Sequence, residues 1–552
     1  MTDTPRTRWA LDVAGMTCDA CERHVAHAIE QAGGSEVAAS WPDGTAVFTA
    51  EDIDESALGA AVGEAGYRAG ALRRLERPAR PPATDGGANW DLAIIGSGSA
   101  AFAAAIKARE AGARVVMIEK ATPGGTCVNT GCVPSKAVIA AADAYHRARR
   151  HDFAGVPRLD GSAPDLAAIV AQKDELVVSM RQSKYLDLVD DYGFTLRQGT
   201  ARFVDAETIE VDGEPLTATN YLIATGSRPT LPPIAGLEQV DYLTSTTALE
   251  LTEVPRRLAV IGANAIGLEL GQAFTHLGSD VTFLDIADRI APFEEPEVSA
   301  ALSGVLVDEG ARVITGARIE HVGQTPDGVV LRGRWEGGDA TLVADRVLVA
   351  TGRLPNTDEL NLPAAGVELD ERGFVVADDF RATTNRRVWA AGDVAGSPQF
   401  VYVSAYEGAI VADNAVSGIG RSIDYRTLPR VTFTSPQVAA VGLTEAQATE
   451  AGHEVVTSVL PLEHVSRALV NRDTRGLVKL VADRASDRLL GIHVLAEGAG
   501  EVIQAGVYAL LAKLTTRELA DAFHPYLTMA EGLKLAAQTF TRDVAKLSCC
   551  AV

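Results

Sequence analysis

Residues 91–119 read DLAIIGSGSAAFAAAIKAREAGARVVMIE and decide the architecture of most of the chain. An apolar strand runs into a Gly-rich turn, a helical segment follows, and a second apolar strand ends at Glu119. In this pattern Gly96 makes the tight turn, Gly98 lets a pyrophosphate approach the backbone, and Ala101 allows close helix–strand packing. Glu119 is placed to accept hydrogen bonds from ribose hydroxyls. The strand, helix and acid together favour a dinucleotide site over a purely structural glycine turn.

Residues 257–285, RLAVIGANAIGLELGQAFTHLGSDVTFLD, repeat the same construction. Gly262 and Gly267 match the ends of the motif, and Asn264 replaces the middle glycine. Two such units predict two dinucleotides, and the commonest reason is electron flow from a nicotinamide to a flavin. Strands that alternate with helices from Trp90 onward predict an α/β fold with parallel sheets.

Asp285, at the end of the second strand of this unit, favours a 2′-hydroxyl and therefore NADH. NADPH usually needs a cation at this place, and Arg289 is close enough in sequence to supply one. Both coenzymes therefore stay open at this point.

Composition limits the classes of function. The 552 residues carry a formal net charge of −23, which disfavours binding to nucleic acid or to anionic membranes. The N-terminus has no signal-like apolar region, and the longest apolar stretch, Leu92–Ile106, is too short for a membrane span. We therefore expect a cytoplasmic protein without a membrane span.

The N-terminal 72 residues predict a separate βαββαβ unit with a ferredoxin-like fold. Residues 73–89, RRLERPARPPATDGGAN, are rich in Pro, Arg and Gly and are typical of an extended linker.

All six cysteines fall in three pairs, which favours thiol redox or metal chemistry in a reducing compartment. The pairs are Cys18/Cys21, Cys127/Cys132 and Cys549/Cys550.

Cys127 and Cys132 lie in GGTCVNTGCVPSK, residues 124–136, which opens a helical stretch. On a regular helix they would be ~7.5 Å apart along the axis, beyond the roughly 6.8 Å limit for a disulfide. Gly131 allows a distortion that brings them together. A helix N-terminus is expected to lower the pKa of both thiols, as suits a redox pair, whereas two buried structural cysteines are the alternative.

This segment closely resembles the redox-active disulfide of the pyridine nucleotide–disulfide oxidoreductases, which include glutathione reductase and lipoamide dehydrogenase. The supporting motifs are ATGSRP at 224–229, ATGRLPN at 350–356 and AGD at 391–393. The resemblance implies that Cys132 lies against FAD, that Cys127 exchanges with the substrate, and that Lys136 pairs with Glu269. It also implies a set of positions that contact FAD: Gly125, Thr126, Lys136, Ala201, Gly226, Asp393 and Val401.

The resemblance implies a complete domain order. Two Rossmann-like dinucleotide-binding domains and an α+β C-terminal dimerisation domain follow a metal-binding domain. The expected boundaries are 1–72 for the heavy-metal-associated domain, 73–89 for the linker, 90–250 and 351–427 for the FAD domain, 251–350 for the NAD(P)H domain, and 428–552 for the dimerisation domain with its Cys-Cys tail.

The two remaining thiol pairs predict metal binding. The stretch GMTCDAC, residues 15–21, has the spacing of heavy-metal-associated domains, although a bare CxxC also occurs in thioredoxin-like redox sites. Cys549 and Cys550 are neighbours and cannot easily form an unstrained disulfide, so they are suited to handing over a soft cation. An accidental pair in the tail is the alternative.

The whole arrangement is similar to the Hg(II)-reducing members of the family. This resemblance implies Hg(II), presented as thiol complexes, as the substrate, reduction to Hg(0) in mercury detoxification, and transfer of the metal from one thiol pair to the next. It further implies a homodimer in which the tail cysteines serve the partner's Cys127/Cys132 site. Tyr185 and Tyr526 are expected near the metal, and NADPH is the usual coenzyme of the family.

One departure from the family separates the possible substrates. Disulfide reductases carry His-Pro-Thr-x-x-Glu, whereas residues 524–529 here read HPYLTM, with Tyr526 for Thr and Met529 for Glu. The acid that orients the histidine is missing, which favours a metal ion over a disulfide and leaves the role of His524 open. A reductase of a small disulfide and a metal-trafficking protein remain the alternative functions.

Overall fold

The computed structural model describes residues 7–16, 19–40, 44–50, 53–74, 90–161 and 163–543. They belong to two compact units, an N-terminal one described up to Arg74 and a main one described from Trp90.

The N-terminal unit has the predicted βαββαβ order. Its four strands form an antiparallel sheet in the order β2-β3-β1-β4. Leu11, Val25, Phe48 and Leu58 are almost fully buried between sheet and helices, because apolar side chains alternate along the strands and recur on one helix face. The elements are β1 (Thr7–Ala14), α1 (Asp19–Gln31), β2 (Ser35–Ser40), β3 (Thr45–Ala50), α2 (Glu55–Glu64) and β4 (Arg68–Arg74).

The first part of the main unit is built on a parallel sheet in the order β7-β6-β5-β10, with β21 beside β10. The strands β5 and β6 are apolar runs that are almost fully buried, because helices pack on one face and two antiparallel strands within residues 201–211 pack on the other. The elements are β5 (Trp90–Ile95), α3 (Ser99–Glu110), β6 (Val115–Glu119), α4 (Gly125–Asn129), α5 (Cys132–Arg149), α6 (Leu166–Arg181), a π-helix (Gln182–Leu186), α7 (Asp187–Tyr192), β7 (Thr195–Gln198), β8 (Ala201–Phe203), β9 (Thr208–Val211), β10 (Glu214–Ile223) and β11 (Ser227–Pro229).

The second Gly-rich segment forms its own parallel sheet in the order β12-β19-β13-β14-β15, next to an antiparallel meander β16-β17-β18. Its elements are β12 (Tyr242–Leu243), β13 (Arg257–Ile261), α8 (Ala265–Leu277), β14 (Asp280–Leu284), α9 (Pro296–Asp308), β15 (Arg312–Ile314), β16 (Arg318–Thr325), β17 (Gly328–Trp335), β18 (Gly338–Ala344) and β19 (Arg346–Val349).

The chain then returns to the first sheet. The strand β20 pairs with β11, so the chain leaves and re-enters the first domain at adjacent strands, and the second domain is an insertion in it. The returning elements are β20 (Arg353–Pro355), α10 (Leu362–Ala365), β21 (Val388–Ala390) and α11 (Val401–Ala415).

The C-terminal part is a five-stranded antiparallel sheet, β22-β23-β26-β25-β24, with helices packed on it. Its elements are β22 (Pro429–Thr432), β23 (Gln437–Gly442), α12 (Glu445–Glu450), β24 (Val455–Pro461), α13 (Ser466–Asn471), β25 (Leu477–Asp483), β26 (Leu489–Ala496), α14 (Ala499–Leu511), α15 (Thr516–Asp521) and α16 (Glu531–Gln538). Across the described ranges, no helix combines the length and the apolar character needed to cross a bilayer.

Candidate active site

The first Gly-rich turn is closely packed at Gly96 and against Gly125. Gly96 has φ +107°, and a Cβ there would lie 2.4 Å from the carbonyl oxygen of Ala224. A Cβ on Gly125 would lie 2.6 Å from the Cα of Gly98. No side chain caps the helix that begins at Ser99, so its first N–H groups are available to phosphate oxygens. The turn therefore fits the pyrophosphate of a dinucleotide.

The acid of this unit is tied to the same turn. Glu119 accepts hydrogen bonds from Ser97 Oγ at 2.5 Å and from the N–H of Ala121 at 2.7 Å. Ser97 Oγ in turn accepts from the N–H of Gly124 at 3.2 Å, which joins the turn to the segment of the two cysteines. Ala101 is fully buried in α3, as close helix–strand packing requires.

A cavity of about 490 Å³ lies between this turn and the cysteine pair. Five of the positions expected to contact FAD line it with both cysteines, namely Thr126, Lys136, Gly226, Asp393 and Val401. Ala201 is buried in β8 and is not part of the lining. The lining thus combines several glycines with Asp393 beside the open N-terminus of α3, and these residues fit FAD.

Two further polar residues shape this cavity, and the sequence did not single them out. Ser227 donates to Asp393 Oδ2 at 2.6 Å, and Arg353 Nε donates to Ser227 Oγ at 2.7 Å. Both lie in motifs that supported the family resemblance, so these motifs were the available signal.

The chain around the two cysteines is not one regular helix. The helix α4 ends at Asn129, and α5 begins at Cys132, after Gly131 with φ −122° and ψ −111°. A Cβ on Gly131 would lie 2.9 Å from the carbonyl oxygen of Thr126, so a side chain there would be crowded. This interruption brings the two thiols within hydrogen-bonding contact.

The two thiols differ in acidity, whereas the sequence led us to expect a lowered pKa for both. The hydrogen bond from Cys127 lowers the pKa of Cys132 to about 7, with help from the charge of Lys136 and against the effect of burial. The same hydrogen bond, together with burial, raises the pKa of Cys127. Cys132 is therefore the more acidic thiol of the pair, and its thiolate form accepts a hydrogen bond from the protonated thiol of Cys127.

Lys136 is fixed by an ion pair across two domains. Its Nζ lies 2.7 Å from Glu269 Oε2, and Glu269 Oε1 accepts from the N–H of Phe433 at 2.8 Å. The ammonium also lies 4.7 Å from the centre of the Phe433 ring. Residues from α5, α8 and the C-terminal domain thus meet beside Cys132. No sequence motif marks Phe433.

A buried ion cluster joins the helices that carry Lys136 and Glu269. His276 on α8 directs Nδ1 at Asp143 on α5 and Nε2 at Glu309, both at 3.0 Å. Although burial opposes it, hydrogen bonding to these two carboxylates raises the pKa of His276. Arg475 also donates to Glu309, at 2.7 Å. The cluster therefore favours the protonated form of His276, which ties α5 to α8.

Tyr185 lies near the thiols, in the π-helix that interrupts the stretch after α6. Its ring packs edge-on against Phe102, with centroids 4.9 Å apart. Burial raises the pKa of Tyr185, and negative charge on Cys127 and Cys132 adds to this effect. Irregular helical turns of this kind are frequent at functional sites.

The second Gly-rich turn borders a larger cavity, of about 990 Å³. Gly262 has φ +99°, and a Cβ on Gly267 would lie 1.9 Å from the carbonyl oxygen of Gly262. Gly262, Asn264 and Asp285 line this cavity, whereas Arg289 does not. The guanidinium of Arg289 instead donates to the carbonyl oxygen of Pro292 at 2.8 Å.

The two cavities share a wall. Five residues line both: Ala265, Ile266, Arg353, Gln399 and Phe400. A dinucleotide in the larger cavity can therefore place one end next to a second dinucleotide in the cysteine cavity. This is the arrangement that electron transfer between two such groups needs.

Four further cysteines and Tyr526 are also predicted to take part in metal binding. Cys21 is partly buried on α1 in the N-terminal unit, and Cys18, Cys549 and Cys550 fall outside the described residues. Tyr526 follows α15, is half exposed, and lines neither of the two cavities. His524 Nδ1 lies 3.1 Å from the carbonyl oxygen of Ala522.

Comparison with known proteins gives matches over the whole chain. The sequence profile of the pyridine nucleotide-disulphide oxidoreductases matches residues 90–408, and that of their dimerisation domain matches residues 428–537. A mercuric reductase of Lysinibacillus sphaericus is 48% identical over 99% of this chain and 100% of its own length. A mercuric reductase of Streptomyces lividans is 54% identical over 84% of this chain and 98% of its own.

Solved structures agree with these matches. The HOCl-induced flavoprotein disulfide reductase RclA of Escherichia coli superposes with a TM-score of 0.74 and 31% identity, covering 82% of this chain and 100% of that one. LpdA of Mycobacterium tuberculosis superposes with a TM-score of 0.73 and 27% identity, over 82% and 100% of the two chains.

Proposed function

Because the chain belongs to the pyridine nucleotide-disulphide oxidoreductase family, we propose that it is a mercuric reductase, an FAD-dependent enzyme that reduces Hg(II) to Hg(0) with NAD(P)H. The overall reaction is NAD(P)H + Hg(II) → NAD(P)⁺ + H⁺ + Hg(0). Two electrons leave the nicotinamide as a hydride, and its proton is released to solvent when the metal takes the electrons.

The observation that carries the proposal is the cysteine pair at the cavity wall, in a chain similar to mercuric reductases over nearly its full length. Bound FAD supplies a two-electron carrier between the coenzyme and this pair. Cys127 exchanges with the incoming metal complex, and Cys132 supplies a sulfur ligand that is already partly ionised near neutral pH. When Cys127 becomes the second sulfur ligand, its proton passes to solvent or to the departing small thiolate, since soft cations prefer thiolates.

The residues around the pair hold this arrangement in place. The ammonium of Lys136, fixed by Glu269, favours the thiolate of Cys132 in the absence of metal. Tyr185, whose pKa is raised, stays protonated near the sulfur atoms and does not add a negative charge that would compete for the metal. We assign catalytic roles to Cys127, Cys132, Lys136, Glu269 and Tyr185 on these grounds, and to Tyr526 on the family resemblance.

Delivery of the metal completes the proposal. Hg(II) arrives as thiol complexes, Cys18 and Cys21 receive it in the N-terminal unit, and Cys549 and Cys550 pass it to the Cys127/Cys132 pair of the partner subunit. The match to a dimerisation domain supports the dimer. Exposed apolar side chains on that domain, including Phe523, which is fully exposed, also support it. A cytoplasmic location fits a relay of reduced thiols.

The decisive assay follows NAD(P)H oxidation by the purified full chain with excess small thiol, with Hg(II) and with glutathione disulfide in parallel. We expect turnover with Hg(II) and release of volatile mercury, and little turnover with the disulfide, because Met529 replaces the acid that would orient His524. Turnover with the disulfide but none with Hg(II) would reverse the assignment to the second candidate, a disulfide reductase, which the named function of RclA favours.

A further inference from the structure

We infer that Asp285 makes NADH, rather than NADPH, the preferred reductant of this enzyme; the inference rests on the proposed function and specifies its electron donor. Asp285 directly follows β14 and lines the larger cavity together with the Gly-rich turn. A coenzyme whose pyrophosphate lies on that turn therefore has its adenosine ribose beside this carboxylate.

The carboxylate is held in a fixed orientation. Oδ2 accepts from the N–H of Ala263 at 2.6 Å, and Oδ1 accepts from the N–H of Ala287 at 2.8 Å. Each carboxylate oxygen can accept a further hydrogen bond. A ribose 2′-hydroxyl can donate that hydrogen bond. A 2′-phosphate would instead place its negative charges next to the negative carboxylate of Asp285.

Arg289, the cation expected to bind a 2′-phosphate, does not line the cavity. Its guanidinium instead donates to the carbonyl oxygen of Pro292. The residue next to Asp285 in the lining is Ile286, whose side chain is 75% exposed and offers a phosphate no hydrogen bond.

Three arginines line this cavity, and one of them lies near Asp285. Arg353 is on the wall shared with the cysteine cavity, and the guanidinium of Arg372 lies 5.1 Å from the centre of the Phe374 ring. Arg318 follows Ala317, whose N–H donates to the carbonyl oxygen of Asp285 at 2.8 Å. Arg318 is therefore the cation in the lining that a 2′-phosphate could use, and it competes with the repulsion from the carboxylate of Asp285.

The test measures anaerobic reduction of the flavin in the full-length holoenzyme. The reduction is monitored by stopped-flow spectroscopy with NADH or NADPH and without Hg(II). We expect a second-order rate constant at least tenfold higher for NADH. In Asp285→Asn the preference should fall severalfold, and in Ile286→Arg the rate with NADPH should rise severalfold. Asp288→Asn removes the same charge from an exposed residue outside the cavity and should leave the ratio unchanged.

Calorimetric titration with the oxidised coenzymes measures their affinities without turnover. NAD⁺ should bind more tightly than NADP⁺, and Ile286→Arg should reduce the difference between the two affinities. Ile286→Arg also keeps the test informative if Asp285→Asn does not fold. Equal or faster reduction by NADPH in the wild type, with a loss of that activity in Arg318→Ala, would overturn the inference. A preference for NADH without any Hg(II) turnover would leave the inference intact and refute the proposed function instead.

Discussion

Removing the thiol of Cys127 should make Cys132 a weaker acid. The largest contribution that lowers the pKa of Cys132 from its ordinary value of 9.0 to about 7 is the hydrogen bond from Cys127. At pH 7 a thiol with a pKa of about 7 is half ionised, whereas one with a pKa of 9.0 is about 1% ionised. In Cys127→Ala, burial and the charge of Glu269 then act against the charge of Lys136 and a backbone hydrogen bond, and we expect the pKa of Cys132 to rise by one unit or more.

The assay measures alkylation of Cys132 by iodoacetamide in the reduced holoenzyme at a series of pH values, with the modified peptide quantified by mass spectrometry. The pH at which the rate is half-maximal is the useful quantity, because the intrinsic reactivity of a thiolate falls with its pKa and partly masks the change in rate at a single pH. Peptide mapping separates Cys132 from the other cysteines.

Two matched variants test the physical reason. Cys127→Ser keeps a hydrogen-bond donor at the same place and should retain most of the low pKa of Cys132. Lys136→Met should raise that pKa by less than Cys127→Ala does, because the charge of Lys136 contributes less than the hydrogen bond. A midpoint that does not move in Cys127→Ala, or that moves equally in Cys127→Ser, would refute the reasoning.

Three further outcomes are expected. Changing Cys549 and Cys550 to Ala should reduce Hg(II) turnover severalfold while flavin reduction by the coenzyme stays the same; full Hg(II) turnover would mean that the tail is accidental. Residues 90–552 alone should fold, bind FAD and reduce Hg(II), as the match of the shorter Streptomyces lividans relative supports, and failure to bind FAD would contradict this. His276→Gln should lower stability by about 3–5 kcal/mol, the usual cost of breaking a buried ion pair. Since the folded-state pKa of His276 is raised, its contribution is complete below its unfolded pKa of about 6.5. The difference in melting temperature from wild type should therefore shrink as the pH rises above that value, and a constant or growing difference would rule out the imidazolium.

The sequence by itself determined the type of fold and most of the chemistry. Strand, Gly-rich turn and acid recur with a fixed local spacing, because a dinucleotide must meet a helix N-terminus and a strand end at the same time. The same local logic located the residues Cys127 and Cys132 and suggested a break at Gly131, which the structure contains. These features depend on near neighbours in the chain, so they can be read from it.

Only the tertiary structure decided how the two thiols differ and where Arg289 points. The pKa of Cys132 depends on its contact with Cys127 and on an ion pair between Lys136 and Glu269, which are 133 residues apart in sequence. Phe433, which fixes Glu269, comes from the C-terminal domain and has no marker in the sequence. Arg289 has the right spacing for a phosphate contact, but the path of the chain after β14 turns its guanidinium to a backbone carbonyl. Charge and hydrogen bonding act over a few ångströms of space, and chain spacing does not record which distant groups the fold brings within that range.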